Sequence, residues 1–385
     1  MSTRLCSGVC SIVVTVITAG CGTVVSKPAG SSSLAVPALA ASPTAAGARV
    51  WYLRGTDGAL YSTDWTGQTS AGFAMPPAPP TMSQYPGKPP PTRLFVMSAS
   101  PDGSRLLLND GSIRHPRGLA VEQIDMAAGL SPTWADDNRH LCQMTTPDYG
   151  SFTGGELDGA AILRWLTPGG GSRQVVAAGA FGPSSTVSVL ACSAKSGLAV
   201  LAEKTASGVT QAAKAGLDPV TKLVVVRIAD GATLYERDYP VTTSPLGGTM
   251  VTASSDGRFI AEVYTVARHG PTGRVTFRSL PDGAVQATWT PTKVQSFSAD
   301  GSLAFIGGGD FASAAQIVNW RTGQVVRREA GGPIVMAGNP SASAFVAIER
   351  STTSTVAIND LWVIPASGPS VRVDTDILEV ITSAL

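Results

Sequence analysis

The chain has 385 residues, a formal net charge of +1 and only 14% charged side chains. Near-neutrality removes the electrostatic case for nucleic acid or an anionic surface as the partner. Glycine (42) and proline (27) are abundant and the body of the chain shows no long amphipathic helical period, which describes short strands joined by tight turns.

The N-terminus reads as an address. Met1–Arg4 carries one arginine, Leu5–Thr18 is apolar, and Thr18-Ala19-Gly20 leads into Cys21. The apolar run is short for a permanent membrane span and fits a secretory signal. Small residues ahead of a cysteine resemble the lipobox of bacterial lipoproteins, although Thr18 stands where that family usually has leucine. The resemblance implies a signal peptide over 1–20, lipidation of Cys21 and an extracytoplasmic protein anchored to the cell membrane. The alternative is an ordinary signal peptide cleaved elsewhere. Gly22–Gly47 is rich in Ala, Ser, Gly and Pro without periodicity. It cannot bury enough apolar surface to offset its ordering entropy. With Cys21 it makes a tether over 21–47, which as a flexible coil spans roughly 30 Å.

From residue 48 onward the chain repeats one unit, clearest in Lys293–Arg328. Lys293–Ser298 and Ser302–Gly307 are joined through Asp300-Gly301, and Ala315–Trp320 and Gln324–Arg328 through Thr322-Gly323. Glycine in such turns supplies positive φ without steric cost. Inner hairpins are expected over Leu94–Leu108, Pro132–Met144, Val187–Leu201, Met250–Val263, Val294–Ile306 and Ile334–Ile348. Outer hairpins are expected over Arg49–Trp65, Ser112–Ile124, Ala161–Ala177, Leu223–Tyr239, Arg274–Trp289, Ala315–Arg328 and Asp360–Val373. Six inner hairpins face seven outer ones, and Ile377–Leu385 is a lone strand-like run.

Four antiparallel strands repeated at this period indicate an all-β fold, a β-propeller over 48–385. Seven blades are expected, with six or eight as alternatives. The ring closes by pairing the N-terminal hairpin with the C-terminal strand, leaving only short edges. The Ser-x-Asp-Gly turns at Ser100–Gly103, Ser254–Gly257 and Ser298–Gly301 resemble those of the TolB-like and WD-repeat-like propellers. The Gly-His and Trp-Asp pairs of true WD repeats are missing. That resemblance implies a fold, with protein interaction as its commonest use.

In such blades the turns between strands one and two and between three and four share one face of the disc. Here these are tight. The opposite face collects the long insertions, Pro76–Thr92, Thr145–Gly159 and Lys204–Lys222. Long loops on a rigid scaffold are where binding usually sits. Tyr85, Tyr149, Phe152, Glu156 and Asp158 are therefore binding-face candidates, with neutral surface insertion as the alternative. Arg268, His269 and Asp310 are candidates for a channel site on that face.

Cys142 and Cys192 make an even pair if Cys21 is lipidated, and neighbouring blades could bring them together as a structural disulfide. Two separate buried thiols are the alternative. Catalytic signals are sparse. There is no Gly-x-Ser-x-Gly elbow, His115, His140 and His269 lie on different blades, and no D-x-D-x-D-G calcium loop exists. No catalytic residue, metal or cofactor is assigned. The seven tryptophans read as packing between blades. The reading is a non-enzymatic, lipid-anchored, monomeric propeller that binds an envelope or secreted protein through its long-loop face. The alternative is a sugar or metabolite sensor, or a lactonase-like enzyme, using the central channel.

Overall fold

The computed structural model describes residues 48–73, 94–116, 121–126, 132–145, 162–176, 181, 185–205, 219–240, 247–266, 270–307, 314–329, 333–338, 343–350 and 359–382. The chain divides into two units, Met1–Leu39 and Ala40–Leu385, and every described residue belongs to the second. Cys21, Tyr85, Tyr149, Phe152, Glu156, Asp158, Arg268, His269 and Asp310 all lie outside the described residues.

The second unit is a ring of seven antiparallel sheets. Blade 1 begins with β1 (Arg49–Arg54), β2 (Leu60–Asp64) and β3 (Thr69–Phe73). Blade 2 is β4 (Val96–Ala99), β5 (Leu106–Leu108), β6 (Ser112–Arg114) and β7 (Val121–Gln123). Blade 3 is β8 (Thr133–Trp134), β9 (Leu141–Thr145), β10 (Ile162–Leu166) and β11 (Ser172–Gln174). Blade 4 is β12 (Ser185–Ser193), β13 (Leu198–Thr205), β14 (Lys222–Arg227) and β15 (Thr233–Asp238). Blade 5 is β16 (Gly247–Ala253), β17 (Phe259–Val266), the short β18 (Gly270–Pro271), β19 (Val275–Ser279) and β20 (Val285–Trp289). Blade 6 is β21 (Val294–Phe297), β22 (Ala304–Ile306), β23 (Ala315–Asn319) and β24 (Gln324–Glu329). Blade 7 is β25 (Ile334–Gly338), β26 (Ala344–Arg350), β27 (Asn359–Pro365) and β28 (Val371–Asp374). The last strand, β29 (Ile377–Ile381), returns to blade 1.

Closure occurs where the sequence places it, but its composition differs. The sheet order in blade 1 is β29-β1-β2-β3, so one C-terminal strand joins three N-terminal ones. Arg49–Trp65, expected as an outer hairpin, is the middle pair of its blade. The missed strand is β3, a small-residue segment without the alternation that marks a strand. One consequence follows for the faces. The Asp57-Gly58 turn joins strands two and three, which puts it on the long-loop face despite its tight-turn chemistry.

The turns hold by local side-chain bonds. The Ser298 hydroxyl donates to Asp300 Oδ1 at 2.7 Å and accepts from the Leu303 N–H at 2.9 Å, while the Ser302 N–H reaches the same carboxylate oxygen at 3.0 Å. Ser100–Asp102 and Ser254–Asp256 repeat the pattern. These carboxylates are therefore consumed by turn geometry. Gly103 has a further reason to be glycine. Its φ is +70°, and a Cβ there would stand 2.1 Å from the Arg49 carbonyl oxygen of the neighbouring blade.

The core lies between blades. Tyr52, Leu106, Leu107, Leu141, Leu163, Phe277, Phe305, Phe345 and Trp320 are fully or almost fully buried. Tryptophan indoles stitch blades together by donating to partners: Trp51 to the Gly103 carbonyl (2.8 Å), Trp134 to Ser98 Oγ (3.1 Å) and Trp289 to the Trp320 carbonyl (3.0 Å). Trp320 stacks on Phe277 at 4.9 Å between ring centroids, in the packing role read from the sequence.

Cys142 on β9 and Cys192 on β12 are joined by a disulfide between blades 3 and 4, with Cα atoms 6.1 Å apart. Both are buried. A bridge closing a loop of 50 residues is worth about 4 kcal/mol in the chain-entropy model. Replacing both cysteines by alanine is expected to lower Tm by about 6 °C for a chain of this size. Intact-mass analysis of the unreduced wild type should find neither thiol alkylatable. Free thiols at both positions would refute the bridge.

Candidate functional site

All seven innermost strands face the ring axis, and the two ends of that axis differ. At the tight-turn end lies a cavity of about 200 Å³, lined from every blade, with Pro101, Trp134, Leu190, Phe297, Ala337 and Ile381 among its walls. Arg49 is the only charged residue among the described ones that line it. The Arg49 guanidinium is engaged elsewhere, donating to Ser62 Oγ at 2.9 Å and to the Gln68 carbonyl at 3.4 Å. Among the described residues no His, Asp or Glu lines this cavity. It offers neither a general base nor a ligand set for a metal.

The chain enters and leaves the ring at this same end. The Arg49 N–H donates to the Asp102 carbonyl at 2.9 Å, and the Ala99 N–H donates to the Thr382 carbonyl at 3.0 Å. Residue 48 and residue 382 therefore both sit beside the tight turn of blade 2.

The innermost strands are irregular along the axis, and in β12 the extra residue, Leu190, lines the cavity just described. Five innermost strands, β4, β12, β21, β25 and β29, each carry one extra residue relative to the neighbouring strand. Such bulges turn a side chain out of the ladder and bend the strand. In blade 6 the extra residue is Gln295, which stitches blades together. Its amide donates to the Pro333 carbonyl at 3.0 Å, and its oxygen accepts from the Val335 N–H at 2.8 Å. In blade 1 the extra residue is Leu378, left 64% exposed. Phe95 (55%) ahead of β4 and Ile334 (40%) at the start of β25 are the other exposed large apolar groups on innermost segments. These three belong to adjacent blades 2, 1 and 7, and each stands where its innermost segment begins, at the long-loop end.

A polar clasp lies beside them. Tyr52 Oη donates to Asp374 Oδ2 at 2.9 Å, and Arg54 Nη1 lies 3.7 Å from the same carboxylate. Arg54 also bonds Asp57 and Tyr61, and the Thr56 hydroxyl donates to Asp376 Oδ2 at 2.6 Å. The Arg54 guanidinium, with help from the Tyr61 hydroxyl and the Ala59 N–H, holds the Asp57 carboxyl well below the usual range. Burial and the bond to Asp374 raise the Tyr52 phenol above its ordinary value. The clasp ties β1 and β2 to the end of blade 7, so its first duty is ring closure.

Sequence reasoning pointed to this face through its long insertions but not to Phe95, Ile334 and Leu378, which read as ordinary strand residues. Only a register shift that sequence does not display exposes Leu378. The two described histidines lie apart. His115 pairs with Glu122 on blade 2, and His140 pairs with Asp137 and stacks on Trp165 in blade 3. Among the described residues no three His, Cys, Asp or Glu side chains stand together as a metal site.

The architecture is that of a seven-bladed β-propeller. No protein-family model matches the chain, and no curated protein matches it. Solved structures do. An oligogalacturonate lyase in complex with manganese superposes with a TM-score of 0.52 at 13% identity, over 83% of this chain and 86% of that one. A prolyl endopeptidase superposes with a TM-score of 0.51 at 12% identity, over 87% of this chain and 48% of the other, so this chain spans about half of that enzyme's length. TolB from Acinetobacter baumannii is more distant, with a TM-score of 0.36 at 13% identity over 71% and 61% of the two chains, too low to carry an argument. Likenesses at such identities establish a shared fold and leave function to the site.

Proposed function

We propose that the protein is an extracytoplasmic, lipid-anchored binding module without catalytic activity, which engages another protein through its long-loop face. The observation that carries this reading is an opposition. The first described residues, 48 and 49, lie at the tight-turn face, while the exposed apolar side chains of the innermost segments stand at the other end of the axis. An anchor attached through residue 48 joins the disc away from that second face and so leaves it uncovered. The buried disulfide fits an oxidising compartment.

In-cell photocrosslinking tests it. A crosslinker at Leu378 should trap a discrete protein, one at the exposed Thr322 on the tight-turn face should not, and Cys21→Ser should move the protein out of the membrane fraction. Crosslinks arising mainly from Thr322 would overturn the assignment of the face.

The axial cavity favours a second reading, a small-ligand sensor. At about 200 Å³ it falls below the roughly 300–1,000 Å³ common for small-molecule sites, so it suits at most a compact neutral ligand. A thermal shift with such ligands, abolished by Ala337→Trp, is the outcome that would favour it.

A further inference from the structure

The chemistry of the long-loop mouth narrows what can dock there. Phe95, Ile334 and Leu378 project from three adjacent blades and are at least 40% exposed. The other exposed large apolar residues lie on the outer strands, one to a blade: Val121 on β7, Leu234 on β15, Val285 on β20 and Val371 on β28. Isolated apolar groups on outer edges need no explanation, whereas neighbours around one opening form a candidate contact surface.

On the side of blades 7 and 1 the described residues carry an acidic excess, with Lys293 ahead of β21 as the base on neighbouring blade 6. Asp57, Asp374, Asp376 and Glu379 stand at this end of blades 7 and 1, against Arg54, which Asp57 already engages. Glu349 and Arg350, which end β26, cancel. Glu379 is exposed, next to Leu378 in the chain, and has no ion pair among the described residues. An anionic lipid surface or a nucleic acid is repelled by such a rim. A basic polypeptide is drawn to it, because complementary potentials steer encounter and reject like-charged partners.

We propose that the long-loop mouth of the axis, built from Phe95, Ile334, Leu378 and Glu379, is the docking site for a polypeptide segment that alternates apolar and basic residues. This rests on the reading of the long-loop face as the binding face and names its partner's chemistry. The apolar side chains supply the buried anchors, and the carboxylates pair with lysine or arginine around them. Leu378 is free to serve as an anchor because the bulge has removed it from the ladder.

Fluorescence anisotropy with the full chain tests the proposal at physiological salt. The probes are three short labelled peptides of alternating Leu and Lys, Leu and Glu, or Ser and Lys. The Leu/Lys peptide should bind at least about tenfold more tightly than either control. Phe95→Ser with Leu378→Ser should weaken it by about tenfold or more, as loss of central anchors does. Glu379→Lys should weaken it several-fold, with a reduced salt dependence. Thr322→Asp, which adds an acid to the opposite face, should change nothing. All these positions are exposed, and unchanged melting curves confirm that the variants fold. Equal binding of the Leu/Glu peptide, or indifference to the Phe95 and Leu378 changes, overturns the proposal. A crosslinked partner at Leu378 combined with failure of the Leu/Lys peptide would leave the binding face standing and reject only this chemistry.

Discussion

Truncation after Thr375, which removes β29, is expected to open the ring and lower Tm by about 7–13 °C. The strand contributes three nearly buried side chains, Ile377 (3% exposed), Val380 (5%) and Ile381 (5%). At about 1.5–3 kcal/mol each, their loss costs roughly 5–9 kcal/mol as an upper estimate. That is comparable with the whole stability of an ordinary domain, about 5–15 kcal/mol. The truncation also strips β1 of its inner partner and bares a row of backbone donors and acceptors, so aggregation should accompany the loss. Two further measurements isolate the cause. Val380→Asp, which keeps the chain length, should destabilise in the same direction, and a synthetic peptide of Thr375–Leu385 added in trans should restore most of the lost Tm. A truncated chain that melts like the wild type would mean that closure does not depend on the pairing of Tyr52 with Val380 and Trp51 with Ile381.

The second large effect is expected at Glu262. This carboxylate on β17 is 6% exposed and gathers three partners from two blades. Tyr239 Oη donates to Oε1 at 2.6 Å, Arg278 Nε donates to Oε2 at 2.9 Å, and Arg237 Nε lies 3.1 Å from Oε1 as an ion pair. Glu262→Ala leaves Arg278 and Tyr239 buried without their acceptor, and breaking such a network costs about 3–5 kcal/mol. Glu262→Gln keeps the shape and part of the hydrogen bonding and should cost less. Urea unfolding of the two variants checks the order. An alanine variant as stable as the glutamine variant would show that water replaces the carboxylate and that the network contributes little.

The same site sets an alkaline limit. Burial, reinforced by the Glu262 charge and hydrogen bond, raises the Tyr239 phenol above its ordinary value of 10.0, and burial with Asp374 does so for Tyr52. The neutral phenols are favoured in the fold. Their contribution is therefore complete below the unfolded value near 10 and is lost as pH rises above it. Tyr239→Phe should flatten the fall in stability above pH 10 relative to the wild type, read as urea midpoints against pH.

Much of the fold is legible in short-range chemistry. The Ser-x-Asp-Gly turns bond within themselves, as Ser298 and Asp300 show, so their sequence states their structure without reference to the rest of the chain. Strand alternation and turn spacing likewise locate twelve of the thirteen hairpins in their expected roles. The exception, Arg49–Trp65, is instructive. Its own residues specify a hairpin but not its position within a blade, because that position depends on a partner strand more than 300 residues away.

The binding end follows the same division. The sequence points to the long insertions, and the residues named there lie outside the described structure. The exposure of Leu378 arises instead from register. Whether Leu378 is buried or turned outward depends on how β29 meets β1 across the ring, and adjacent residues of a strand look alike in sequence until that register exists. By itself, then, the sequence determined the all-β class, the repeat, the closure of the ring and the placing of Cys142 and Cys192 on neighbouring blades, since each depends on local pattern or on blade order; that the two are bonded came from the structure. Tertiary structure alone decided which strand completes blade 1, which end of the axis holds residue 48, and which apolar side chains remain outside the core, because those follow from contacts between the two ends of the chain.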